Sequence, residues 1–149
     1  MKKFILCIAL ILISVSCSNR GHNNIFGINY TIPTKPVISD WDIFVKALIE
    51  VESSNNQYAV GKSNDVGILQ ITPIYVKEVN RISGKSFTLE DRLSIDKSME
   101  MFNIMQDHYN PNRDIDKAIK LHNPKAGNKY SDKIYNTMSD IKSRLLWNQ

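Results

Sequence analysis

Cysteine is almost missing from this chain: Cys7 and Cys17 are the only two in 149 residues. Both fall at the N-terminal end, so the rest of the chain has no disulfide to fold around. Strong charge of either sign is missing too, the formal net charge being +4, too weak to argue for a nucleic-acid partner. No phosphate-cradling glycine loop, nucleophile elbow or Cys/His dyad occurs. His22 and His108 have no partners at metal-ligand spacing, and neither a metal site nor a cofactor is expected. There is no internal repeat and no low-complexity run. What remains is ordinary globular composition, 42% hydrophobic and 23% charged, in a chain long enough for one well-cored domain.

The first residues are of a different kind. Lys2 and Lys3 precede a continuous apolar run, Phe4 to Ile13, followed by Ser14-Val15-Ser16-Cys17. The run is too short for a permanent membrane span and has the pattern of a signal peptide. Small residues leading to a cysteine resemble a bacterial lipobox, in which Cys17 becomes the lipidated first residue of the mature chain. On that reading residues 1–16 are removed, two lysines and no acids leave with them, and the formal charge falls to +2. Multiple acyl chains on Cys17 anchor a protein stably to a membrane. Ser18 follows the cysteine, so the aspartate that retains some lipoproteins at the inner membrane is absent. A periplasm-facing site on the outer membrane is therefore expected. Residues 17–39, with Gly21, Gly27, Pro33 and Pro36 among polar residues, read as the lipidated cysteine and a flexible tether.

Residues 40–149 read as one mainly helical domain. Ser39 or Asp40 caps a first helix ending soon after Ser53, where Ser54-Asn55-Asn56 is turn chemistry. Thr72-Pro73 opens a second, with Tyr75, Val76, Val79 and Ile82 inward and Gly84 as its stop. Thr88 and Asp91 resemble a capping box before a long helix carrying Ile95, Met99, Phe102, Met105 and Tyr109. Asp114 caps another, with Ile115, Ala118, Ile119 and His122 on one side, and Tyr130 to Leu145 carries the last. Only Tyr58 to Ile71 has the character of short strands or irregular β-like structure. His122, on an apolar helix face, is expected to be a satisfied core histidine.

One acidic residue interrupts this pattern. Trp41, Phe44, Val45 and Leu48 repeat at i, i+3, i+4, i+7, and Glu52 continues the stripe, about 40° from Leu48. Glu50 is turned roughly 160° from Glu52 and should face water. A carboxylate on an apolar stripe is costly unless it is paired, protonated or set in a cleft. The last two suit a general acid. The bland reading is a helix-end glutamate that reaches solvent or pairs with Lys46 or Lys62.

Glu52-Ser53, then Gly67-Ile68-Leu69-Gln70-Ile71 before a proline, then Asn123 and Tyr130 resemble the lytic transglycosylase family, with its α+β lysozyme-like, mainly helical domain of the soluble and goose-type-lysozyme-like kind. The resemblance covers residues 40–136. It implies cleavage of the β-1,4 bond between N-acetylmuramic acid and N-acetylglucosamine in peptidoglycan glycan strands. Glu52 is then the single catalytic acid, and the product carries a 1,6-anhydro end. Ser53, Gly67, Gln70, Asn123 and Tyr130 become substrate-binding or acid-orienting residues, and a monomer is expected. Each keeps a plainer alternative: a helix cap for Ser53, an unusual φ for Gly67, loop hydrogen bonding for Gln70, a helix stop for Asn123 and core packing for Tyr130. The family's tyrosine before the asparagine is His122 here, and Pro124-Lys125 replace small residues. A lysozyme-type hydrolase would need a second carboxylate, about 5–5.5 Å or 6.5–9.5 Å from the first. Asp65 is the only acid between Glu52 and Gln70, although its surroundings suit a solvated turn. A non-catalytic wall-binding lipoprotein is the remaining rival.

Overall fold

A computed structural model of the chain describes residues 22–25, 28–31, 38–125 and 127–147. The expected leader, Cys17 and much of the expected tether lie outside the described residues. The chain divides into two units, one up to Val37 and one from Ile38 onward. In the first, β1 (His22–Ile25) and β2 (Ile28–Thr31) pair antiparallel, with His22 opposite Thr31 and Ile25 opposite Ile28. Four-residue strands are too brief for a period of two to stand out in the sequence.

Among the described residues the second unit holds five α-helices. α1 (Asp40–Ser53) starts with a complete capping box: Ser39 Oγ accepts from the Asp42 N–H at 3.1 Å, and Asp42 Oδ2 accepts from the Ser39 N–H at 3.2 Å. α2 (Pro73–Ser83) opens on the Thr72 cap with proline at its first position and stops at Gly84, φ 67°. α3 spans Ile95–Tyr109, α4 Ile115–His122 and α5 Asn128–Trp147. The fold is mainly α, with α1 packed along α5, and α3 against both α2 and α4. Phe44 and Leu48 from α1, Val79 from α2, Phe102 from α3, Ile119 from α4 and Ile134 from α5 meet in the fully buried core. Along the α1–α5 seam, Arg144 pairs with Glu50 at 3.1 Å and Lys142 with Asp40 at 2.7 Å. Glu50 thus faces outward, and these exposed pairs contribute little stability.

Two junctions shape the rest. Buried Asn110 ends α3, donating to Gln106 Oε1 at 2.9 Å and to the Asp114 carbonyl at 2.8 Å, while its Oδ1 accepts from the Asp114 N–H. That clamp sets the start of α4. The Thr88–Asp91 box forms only in part: the Thr88 N–H donates to Asp91 at 2.7 Å. It opens a single 3₁₀ turn, Glu90–Leu93, and α3 begins later, on the Ser94 cap.

The delay has a purpose in packing, because Arg92 turns inward from that 3₁₀ turn. Its side chain is buried and, among the described residues, has no carboxylate partner. Nε donates to the Leu89 carbonyl at 2.7 Å, and Nη1 donates to the carbonyls of Asn64 at 2.7 Å and Ile71 at 3.1 Å. Arg92 thereby ties the segment between α1 and α2, which has isolated antiparallel bridges Val60–Val66 and Val66–Ile71 in place of full strands. Gly67 lies against the same residue. At φ +87°, a Cβ there would stand 1.9 Å from the Arg92 carbonyl oxygen, so only glycine fits.

Replacing Arg92 by Met removes three hydrogen bonds from a charged donor, one to the buried Ile71 carbonyl and two to partly buried ones, each worth about 1–3 kcal/mol. Urea unfolding of Arg92→Met should show a loss of at least about 3 kcal/mol. Gly67→Ala adds backbone strain to a clash and should lose at least about 2 kcal/mol in the same assay. Wild-type midpoints for both would contradict this account of the loop.

Candidate active site

Helix ends converge on one carboxyl group. Glu52 sits in the last turn of α1, His122 is the last residue of α4 and Tyr130 lies in the first turn of α5. The Tyr130 hydroxyl donates to Glu52 Oε1 in a short hydrogen bond. His122 Nε2 stands 3.5 Å from the same oxygen, with the Glu52 side chain 15% exposed and His122 4% exposed. Among the described residues Glu52 is in ion-pair range of neither Lys46 nor Lys62. With both neighbours on Oε1, Oε2 is the oxygen left for a ligand.

These neighbours are uncharged. Burial, the nearby Glu52 charge and the hydrogen bond all push the Tyr130 hydroxyl upward, so it keeps its proton as a donor. Burial pushes the His122 imidazole below its usual value, against the opposing pull of Glu52 and the Leu69 backbone. His122 Nδ1 is buried without a hydrogen bond among the described residues. The ring packs in the core on Tyr75 and Phe102, as expected, and in addition turns Nε2 toward Glu52.

Glu52 and His122 line a cleft of about 760 Å³, shared with Asp65, Gln70, Asn123 and Glu78. Glu78 provides a contrast within the same cavity. Its carboxylate accepts from Arg81 Nε at 2.8 Å and Nη2 at 2.7 Å, and from the Tyr109 hydroxyl. The Arg81 hydrogen bonds, then that of Tyr109, hold its pKa down to about 2. Glu78 is permanently ionised, and its oxygens are already engaged. Of the two glutamates in the cleft, only Glu52 lacks a cation that fixes its charge.

The other sequence candidates separate into cleft wall and support. Gln70 lines the cleft at φ 46°, an unusual conformation for a residue with a side chain. Its Nε2 donates to the carbonyls of Gly67 at 2.8 Å and Ala59 at 3.1 Å. The amide thus satisfies the loop, as the plainer reading expects, and offers its Oε1 as the group available to a ligand. Asn123 caps the C-terminus of α4 and lines the cleft. Asp65 does so as well, but its Oδ1 accepts from the Ser63 N–H at 2.9 Å and its carboxyl packs over Gly61.

Ser53, Gly67 and Tyr130 are not part of this cleft's lining. Ser53 and Gly67 make supporting contacts within the protein. Buried Ser53 donates to the Ile68 carbonyl at 2.8 Å and also to Ile49, pinning the end of α1 to the Gly67–Gln70 loop. Gly67 accommodates Arg92, and Tyr130 reaches Glu52 from behind the wall. Sequence reasoning missed Arg92 and Glu78, and it undervalued His122. Nothing in local pattern marks a buried arginine whose partners are carbonyls, whereas a histidine four residues after Ala118 on an apolar face is a weak signal that was present.

The Tyr130 hydroxyl is placed to orient the Glu52 carboxyl without carrying a charge of its own. Tyr130→Phe should lower kcat on cell-wall sacculi about tenfold while costing about 1 kcal/mol of stability. Unchanged kcat with a folded variant would contradict the role given to the hydroxyl.

A family model described as the transglycosylase SLT domain matches residues 39–138, two-thirds of the chain. No curated protein and no solved structure matches it.

Proposed function

The chain belongs to the transglycosylase SLT family, whose members are lytic transglycosylases that cleave peptidoglycan, and from that premise we propose that Glu52 is its single catalytic acid. The observation that carries this reading is the pairing of Glu52 with two uncharged neighbours in a cleft whose other glutamate is held ionised by Arg81. In its acid form Glu52 delivers a proton from Oε2 to the oxygen of the β-1,4 bond between N-acetylmuramic acid and N-acetylglucosamine. As the bond between the muramic C1 and that oxygen breaks, Glu52 is left as a carboxylate, which the Tyr130 hydroxyl stabilises. The carboxylate then takes the proton from the muramic C6 hydroxyl as that oxygen bonds C1. A 1,6-anhydro ring forms, no water is consumed and Glu52 regains its proton.

The hydrolytic alternative would need a second carboxylate free to activate water. Asp65 is occupied with its own turn and Glu78 with Arg81 and Tyr109, which favours the single-acid route. Gln70 Oε1 and Asn123 are the groups proposed to hold sugar. Anchoring through a lipidated Cys17, removal of residues 1–16, a tether over 17–39, a periplasm-facing outer-membrane site and a monomeric catalytic domain over 40–149 complete the proposal. They are supported by the N-terminal sequence and by the family match beginning at residue 39.

Glu52→Gln keeps the shape and removes the acid. Its turnover on purified sacculi should fall by about 10²–10⁴, and mass spectrometry of wild-type products should show anhydro ends. Full activity in the variant would reject the acid assignment and favour a binding role. Reducing ends from the wild type would reject the transglycosylase chemistry in favour of hydrolysis.

A further inference from the structure

His122 is not explained by packing alone. It is nearly fully buried, with the Leu69 backbone beside the ring, and its Nε2 stands 3.5 Å from the oxygen that Tyr130 also holds. That separation is a contact and not yet a good hydrogen bond; such distances commonly tighten when substrate is bound. The titratable groups facing the ring are few. Glu52 comes from α1 and Tyr75 from α2, with ring centroids 6.0 Å apart, and Tyr130 reaches it from α5 through the shared oxygen. α3 presents the apolar Phe102, and the loop presents the Leu69 backbone. Tyr75 is pushed upward by burial and stays neutral. Glu52 is therefore the one carboxyl group facing His122 among the described residues.

We propose that His122 is a positioning residue for the acid and sets the low-pH limit of turnover: neutral, it steadies Glu52 Oε1; charged, it pairs with the carboxylate that Glu52 becomes on giving up its proton and weakens that carboxylate as the base for the C6 hydroxyl. This inference rests on Glu52 being the acid. The sign follows from the surroundings. Burial moves His122 below the ordinary value of 6.5, so at neutral pH the ring is uncharged. As the pH falls through that lowered value the imidazolium forms beside Glu52, and once Glu52 has delivered its proton the carboxylate left behind is held as an ion pair that takes a proton back less readily. Tyrosine or glutamine at this position could hold Oε1 but would not titrate in this range. Histidine adds a switch that they lack.

The test is kcat against pH for the full-length chain and for His122→Gln, on soluble glycan strands, with KM followed separately. Wild-type kcat should drop about fivefold or more between pH 7 and pH 5. In His122→Gln that acid limb should disappear, leaving the ratio near one, while KM changes little. An unchanged acid limb in a folded variant overturns the inference. An independent reading comes from NMR titration of the imidazole in the wild type and in Glu52→Gln. Loss of the carboxylate should move the His122 midpoint to lower pH. An identical His122 midpoint in both proteins also overturns the inference. Wild-type turnover in Glu52→Gln would instead overturn the acid assignment on which it rests, so the two failures are distinct.

Discussion

A single carboxyl oxygen, Glu52 Oε1, holds together the working end of this protein. Tyr130 donates to it from the start of α5, and His122 approaches it from the end of α4, while Glu52 itself closes α1. Three helix termini therefore meet at one atom. The core of Phe44, Leu48, Phe102, Ile119 and Ile134 supplies most of the burial that brings these helices together. The polar contact decides their rotation and register, because a half-buried carboxyl left unpartnered would be costly.

The cleft then sorts its acids by what surrounds them. Glu78 meets a guanidinium and is locked as an anion. Glu52 meets a phenol and an imidazole that burial keeps neutral. The difference is one of chemistry more than of depth: both glutamates line one cavity and both accept from a tyrosine. A charged partner fixes a protonation state, whereas a neutral one orients the group and lets it cycle. Behind the cleft, the loop that carries Gln70 is held by side chains instead of strand pairing. Ser53 holds it to α1, Arg92 ties its carbonyls together, and Gly67 allows the Arg92 backbone to approach. The adjacency of Glu52 and Ser53 has a physical reason here. One side chain faces the cleft and the next, about 100° around the helix, fastens the loop.

Much of this was legible beforehand because it is written in helical period and punctuation. The stripe from Trp41 to Leu48 placed Glu52 correctly, and Ser39, Thr72, Asp114 and Gly84 marked helix ends that the structure reproduces. The start of α3 was harder, since Thr88–Asp91 makes half of a capping box around a 3₁₀ turn that exists to aim Arg92 inward. Long-range partners were not legible at all. No local pattern announces that Arg92 reaches Asn64, that Tyr109 and Arg81 converge on Glu78, or that His122 faces Glu52 across seventy residues. Those contacts depend on how helices cross, which a one-dimensional period does not encode.

The central claim is that the bond to be broken lies against Glu52 and not against the other acids of the cleft. A crystal structure of the Glu52→Gln variant with a bound muramic acid–glucosamine oligosaccharide tests it most directly. The account predicts the glycosidic oxygen within about 3 Å of the side chain at position 52, with Gln70 and Asn123 against the sugar. A scissile oxygen resting beside Glu78 or Asp65, or a sugar seated outside the cleft, would contradict it.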